Sequence, residues 1–175
     1  MATTNVCTTF TATPQTVTVY INNPTNISVG VTVSVNSGIA MALPATMTVN
    51  ANSALSLSYA CTGYATTSQS VASIGSASSY TVPQVTMTGI ATLIQNGTIT
   101  FNPAPVAGSA TVVTIPVKNS GTGTFAAGTA GSLTIGGTPY TLSLTAALPA
   151  GSTTNITQTV NVTTSGSITA CLTLT

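Results

Sequence analysis

Residues 16–35, TVTVYINNPTNISVGVTVSV, set valine or isoleucine at every second position of two short runs separated by an asparagine-rich turn. A period of two puts all the apolar side chains of an extended run on one side, whereas a helix needs them three and four apart. The same alternation marks Thr46–Val49, Leu55–Cys61, Tyr80–Thr88, Thr111–Val117, Ser132–Ile135, Tyr140–Thr145, Thr154–Thr163 and Ser167–Thr175. Turn-forming residues fall between runs in NNPTN, NSG, NSGTG, IGGTP and LPAGS, about ten positions apart, as in all-β domains. The expectation is an all-β chain folded as an antiparallel Ig-like β-sandwich, because amphipathic sheets bury their apolar sides most directly against one another.

The segment ATLIQNGTITF carries Asn96-Gly97, a pair suited to the positive φ angles of a type I′ turn, which predicts a hairpin over residues 91–101. TVTVYINNPTN followed by ALPATMTVNANSALSLSYACTG is echoed by TVVTIPVKNSGTG followed by ALPAGSTTNITQTVNVTTSG, with Ala42–Ala45 matching Ala147–Ala150. The echo leaves two arrangements open for the body at residues 14–175: one elongated sandwich, or two small lobes at 14–88 and 89–175. Ahead of the body lies MATTNVCTTFTATPQ, in which Val6, Thr8, Phe10 and Ala12 share one side of an extended stretch that Pro14 interrupts. Residues 1–13 are read either as the first strand of their own sandwich or as an arm that completes a neighbour's sheet.

The outward positions are unusual in carrying almost no charge. Charged residues make up 1% of the chain, against roughly 25% in ordinary domains. The single basic residue is Lys118, and there is no Asp, Glu or His. With 43% hydrophobic residues the chain can bury a core, so the low hydrophobicity and high net charge of disordered segments are both missing. No run approaches the ~18 consecutive apolar residues of a membrane helix, and no membrane span is expected. One cation cannot neutralise a row of phosphates, which makes nucleic acid and anionic membranes poor partners. Residues 1–20 lack the positive start and apolar centre of a secretory signal, so in an exported protein they would be mature sequence.

Proton-transfer catalysis needs a group that exchanges protons near working pH, and this chain has no His, Asp or Glu to do it. Lys118, in TIPVKNSG, reads as a solvated strand end, and the cysteines have no histidine to activate them. Metal ions would find neither carboxylates nor paired thiols. The expectation is a protein that is not an enzyme and holds no cofactor. Cys7, Cys61 and Cys171 form no CxxC pair and read as one disulfide plus an odd thiol. Cys61 shares the parity of Leu55, Leu57 and Tyr59, while Cys171 alternates against Ile168, Ala170, Leu172 and Leu174. The favoured pairing is Cys61 with Cys171, leaving Cys7 free or bonded to another chain. Glycosylation sequons stand at Asn26, Asn96, Asn155 and Asn161, a number that chance alone supplies (roughly four) in so Ser- and Thr-rich a chain. Asn26 lies in a turn, and Asn155 and Asn161 share the outward parity of Thr157 and Thr159.

A near-neutral β-protein lacks the repulsion that keeps copies apart and the edge lysines that block strand addition. Either glycans cover such a surface or its edges are occupied by other copies. The uncharged Thr/Ser/Val-rich body, its sequons and the extended TNVCTTFTATP resemble the secreted subunits of archaeal surface filaments, in particular the threads of thermoacidophilic Sulfolobales and, more distantly, archaeal bundling pili. The resemblance implies an extracellular, cell-surface glycoprotein that polymerises with copies of itself by donor-strand complementation, for adhesion or cell-to-cell contact. It would make Val6, Thr8, Phe10 and Ala12 the inserted face and let Cys7 lock neighbours covalently. The alternative is a surface-layer, capsid or adhesin β-sandwich module without strand exchange.

Stability varies with pH only where folded and unfolded states bind different numbers of protons, and no side chain here titrates in the acid range. The urea midpoint is expected to stay level between pH 2 and 6, as measured by equilibrium unfolding across that range; a strong slope would count against an acid-insensitive fold.

Overall fold

The computed structural model of the protein describes residues 15–163 and 165–175. The expected N-terminal strand, with Val6, Cys7, Thr8, Phe10 and Ala12, lies outside the described residues. Within them the chain is all-β, with fourteen strands and no helix, hence no helix long and apolar enough to cross a membrane. It divides into two compact units, one built from residues up to Thr62 with Thr66–Met87, the other from Gly63–Ala65 with Thr88–Thr175.

The first unit contains β1 (Thr16–Ile21), β2 (Thr32–Val35), β3 (Met41–Ala42), β4 (Ala45–Asn50), β5 (Leu55–Ala60), β6 (Thr67–Val71) and β7 (Ser79–Thr81). They form two sheets, ordered β4-β1-β7 and β3-β2-β5-β6. Every pairing is antiparallel except that of β1 with β7, which run parallel with Val19 opposite Tyr80. The period of two decides the sides: Val17, Val19, Ile21, Val33, Val35, Leu55, Leu57 and Tyr59 are buried, while Tyr20, Ser56 and Ser58 between them are exposed. The Tyr59 hydroxyl donates to Gln69 Oε1 at 3.0 Å, and Gln69 Nε2 donates to the Pro83 carbonyl at 3.0 Å. Burial pushes the Tyr59 pKa up from its ordinary value, keeping the hydroxyl a donor.

The second unit contains β8 (Leu93–Gln95), β9 (Thr100–Asn102), β10 (Ser109–Asn119), β11 (Gly128–Ile135), β12 (Thr138–Leu144), β13 (Thr153–Val162) and β14 (Ala170–Leu174). One sheet is ordered β13-β10-β8, with β9 also paired to β10, and the other β12-β11-β14. Val113, Ile115, Val117, Ile156 and Val160 from the first sheet meet Leu133, Leu142 and Leu144 from the second in one core.

The two units follow one pairing scheme. β1 pairs β4 as β10 pairs β13, and β2 pairs β3 and β5 as β11 pairs β12 and β14. The sequence echo falls on matching places, for Ala42–Ala45 leads into β4 and Ala147–Ala150 precedes β13. The units differ at two positions. Beside β1 lies β7, from later in the chain, whereas beside β10 lie β8 and β9, from earlier. Beside β5 lies β6, but among the described residues no strand lies beside β14 on its far side.

The hairpin predicted over residues 91–101 does not form. β8 and β9 both run antiparallel to β10 along one edge, with Gln95 opposite Val117 and Thr100 opposite Thr114, so residues 96–99 are a bulge rather than a reversal. Gly97 has φ +133°, Asn96 is not left-handed, and the Asn96 N–H donates to the Pro116 carbonyl at 2.8 Å. A local turn preference loses here to an eleven-residue partner whose inner side is core. Type I′ geometry occurs instead at Asn36-Ser37 (φ 51° and 60°), joining β2 to β3, and at Gly136-Gly137 (φ 55° and 85°), joining β11 to β12.

Loop 119–123, NSGTG, is tied down by Asn119, whose side chain is fully buried. Its Oδ1 accepts from the N–H groups of Thr92 (3.2 Å) and Gly121 (3.1 Å), and its Nδ2 donates to the carbonyls of Gly123 (2.8 Å) and Leu148 (2.9 Å). The backbones pack so closely that a Cβ on Gly123 would lie 2.3 Å from the Gly89 carbonyl oxygen. Replacing Asn119 with Ala leaves four backbone groups without their partner, a loss on the order of 3 kcal/mol. Asn119→Asp is expected to cost more at pH 7 than at pH 3, because the ionised carboxylate would face two carbonyl oxygens. Urea unfolding of the two variants at both pH values measures this.

Candidate strand-acceptor edge

β14 forms because Ala170, Leu172 and Leu174 alternate with Cys171, Thr173 and Thr175, and it pairs with β11 so that Cys171 lies opposite Thr134 and Leu172 opposite Leu133. Two backbone bonds of this ladder set its phase: Gly136 N–H to the Thr169 carbonyl (3.1 Å) and Thr175 N–H to the Ala130 carbonyl (3.2 Å). Antiparallel pairs alternate between bonded and non-bonded, so Thr169, Cys171, Thr173 and Thr175 turn their backbone groups to β11. The N–H and C=O groups of Ala170, Leu172 and Leu174 therefore point to the far side, where no strand among the described residues pairs with them.

The apolar side chains along this edge are also incompletely covered. Ile99, Phe101, Ile168, Leu172 and Leu174 pack against the core of the second unit yet remain only half-buried. β14 approaches β8 across the edge. Near the start of β14 a cavity of about 520 Å3 opens between the sheets, lined among others by Phe101, Val106, Ile135, Val162, Ile168 and Ala170. Val106 is 60% exposed there.

The other flank of this unit is bridged at one point. β12 packs beside β13, and the Tyr140 hydroxyl donates to the Asn161 carbonyl (3.0 Å) while accepting from the Asn161 N–H (3.1 Å). Both backbone groups of Asn161 are thereby occupied at an edge strand.

The only cation, Lys118, sits half-exposed on β10 between Ile94 and Thr153, on the side of its sheet away from the core. β14 itself carries no charged residue, whereas exposed edges in most proteins are guarded by lysine, proline or a covering loop.

The other residues singled out in the sequence are dispersed. Asn155 and Asn161 are exposed on β13, opposite in parity to the buried Ile156, Val160 and Val162, and Asn96 is exposed in the β8–β9 bulge. Asn26 is exposed too, but its side-chain amide is already engaged: Nδ2 donates to the Met87 carbonyl (2.8 Å) and Oδ1 accepts from the Met87 N–H (3.1 Å). The pairing favoured from sequence, Cys61 with Cys171, is not formed: both are free thiols. Cys61 is half-buried just past β5 in the first unit, on the inward parity, and Cys171 is exposed on β14 in the second, on the outward parity.

Sequence reasoning found the β14 alternation but not the edge or its cavity. Phe101, Val106 and Ile168 lie far apart in the chain, and Phe101 was hidden inside an expected hairpin. Tyr140→Phe is expected to lower stability by about 1–2 kcal/mol, the worth of two hydrogen bonds to Asn161, without altering the β14 edge. Denaturant midpoints of the variant and the parent chain test it. The chain matches no family model, no characterised protein and no solved structure.

Proposed function

We propose that the chain is a non-enzymatic structural subunit of an extracellular, cell-surface filament, joined head to tail by insertion of residues 1–13 of one subunit beside β14 of the next. In this reading each unit is an Ig-like β-sandwich. The first carries β6 beside β5, and the second leaves the matching place beside β14 for a strand from a neighbour. The observation that carries the reading is that unpaired backbone row, set above an apolar cavity in a chain with almost no charge.

Three further points support it. Residues 1–13 precede β1, and the place beside β1 that earlier residues fill in the second unit is already taken by β7, so the first unit offers them no matching place. Their sequence alternates Val6, Thr8, Phe10 and Ala12, which suits an edge strand with one apolar side. Burying Phe10 alone is worth about 2–3 kcal/mol, and each added main-chain hydrogen bond about 1 kcal/mol.

A donor at one end and an acceptor at the other make a heterologous contact that does not close on itself, and its product is an open fibre. Glycans at Asn155 and Asn161 would leave β14 uncovered, since they stand on β13 in the other sheet. Attachment to surfaces or to other cells is the service such a polymer performs.

Deleting residues 1–12 is expected to leave a protein that folds or aggregates but no longer assembles ordered fibres, as seen by negative-stain electron microscopy. Ordered fibres from the truncated chain would reject the arm. A discrete full-length monomer by mass measurement in solution would favour a surface-layer, capsid or adhesin module instead.

A further inference from the structure

We propose that Asn96 is a site of self-modification: the Gly97 amide nitrogen closes on the Asn96 side chain, ammonia leaves, and the chain gains a carboxylate that its sequence does not encode. This goes beyond the filament reading and stands without it.

Asparagine is among the thermally labile residues. Its side-chain carbonyl carbon lies within reach of the next residue's backbone nitrogen, and a glycine there leaves that nitrogen least hindered. Asn96-Gly97 is the one Asn-Gly pair in the chain, and Asn36, Asn52 and Asn119 are each followed by serine. The fold treats these four differently. Asn119 is fully buried with its side-chain amide bonded at both ends, and the Ser120 N–H donates to the Thr92 carbonyl (2.8 Å). The Ser53 N–H donates to the Asn50 carbonyl (3.3 Å), and Asn36 Oδ1 is held by the Ser56 N–H (2.8 Å). Asn96 and Gly97 are both exposed, and among the described residues nothing bonds the Asn96 side-chain amide or the Gly97 N–H.

In the reaction the Gly97 N–H gives its proton to hydroxide, the nitrogen bonds to Asn96 Cγ, and the Cγ–Nδ2 bond breaks with Nδ2 leaving as ammonia. Water then opens the cyclic imide. Breaking the new Cγ–N bond gives aspartate; breaking the backbone C–N bond instead gives isoaspartate, with the chain continuing through Cγ. Water is consumed, ammonia is released, and nothing is oxidised or reduced. Because the attacking nitrogen must lose a proton, the rate rises with pH and acid preserves the amide. Isoaspartate lengthens the backbone, which would disturb a strand ladder. Residues 96–99 already bulge between Gln95, opposite Val117, and Thr100, opposite Thr114, so the extra length is taken up there.

Asn96 shares a shallow depression with Pro116, Thr153, Thr154 and Asn155, none of them charged. Its N–H bonds the Pro116 carbonyl, and Lys118, the only basic side chain, stands two residues along β10 on the same side of the sheet. A carboxylate at position 96 therefore lies diagonally across from the Lys118 ammonium, a separation that long side chains bridge on a sheet. An exposed pair of this kind adds little stability. What changes is charge: one new negative charge cancels the formal +1, and a chain without net charge associates more readily. The conversion also ends the sequon at Asn96, since its acceptor amide is gone.

The test holds folded, unglycosylated full-length protein at pH 8 and at pH 4, then follows each asparagine by peptide mass mapping and the whole chain by isoelectric focusing. The expected result at pH 8 is a folded species shifted by one negative charge, with aspartate and isoaspartate at position 96 while Asn36, Asn52 and Asn119 keep their amides. The pH 4 sample should stay unshifted over the same period, as should Asn96→Gln at pH 8, which keeps an amide and the Gly97 backbone. Folded protein that keeps Asn96 intact at pH 8, that converts Asn36 or Asn52 as fast as Asn96, or that shifts equally in Asn96→Gln overturns the proposal. None of these results bears on strand exchange.

Discussion

Every strand must find partners for its backbone N–H and C=O groups, and in this protein neighbouring strands of the same unit supply them inside each sheet but not along the sheets' outer edges. The far side of β14 is one such edge, where Ala170, Leu172 and Leu174 present their polar groups to a place no described strand fills. Proteins that keep such an edge usually protect it with a charge, and this chain has one cation, on a different sheet. The unpaired row and the missing charge belong together.

The same scarcity of charge shapes how the interior is held. Neutral amides and hydroxyls take the places where ion pairs often stand. Asn119 joins four backbone groups in a buried loop, Tyr59 and Gln69 link β5 and β6 to Pro83, and Tyr140 closes the β13 edge at Asn161. Such bonds keep their strength across the acid range, because none of the groups gains or loses a proton there. With no Asp, Glu or His in the chain, acid meets no side chain here that it would protonate.

The two units share one pairing scheme and differ in the neighbours of two pairs of matching strands. In the first, β6 lies beside β5 and β7 beside β1. In the second, β8 and β9 supply the strand beside β10 and nothing described supplies the one beside β14. The half-buried Leu172, Leu174 and Phe101 record the difference as apolar surface left without cover.

Much of this was legible in the sequence, for a stated reason. A period of two is a local property, so the strands and their inward residues, Val17, Val19 and Ile21 or Leu55, Leu57 and Tyr59, could be read directly, as could the absence of acid-range titration. β6 was missed because Thr67, Gln69 and Val71 include a single aliphatic residue, so no apolar alternation marks it. What local pattern could not decide was which strand lies beside which. Asn96-Gly97 has the chemistry of a reversal and became a bulge because β10 offered both flanking segments a longer partner; Cys61 and Cys171 have opposite parities and belong to different units. The open edge of β14 is of the same kind, since a strand's sequence sets its two sides and only the pairing of the whole chain sets which of its edges is left without a neighbour.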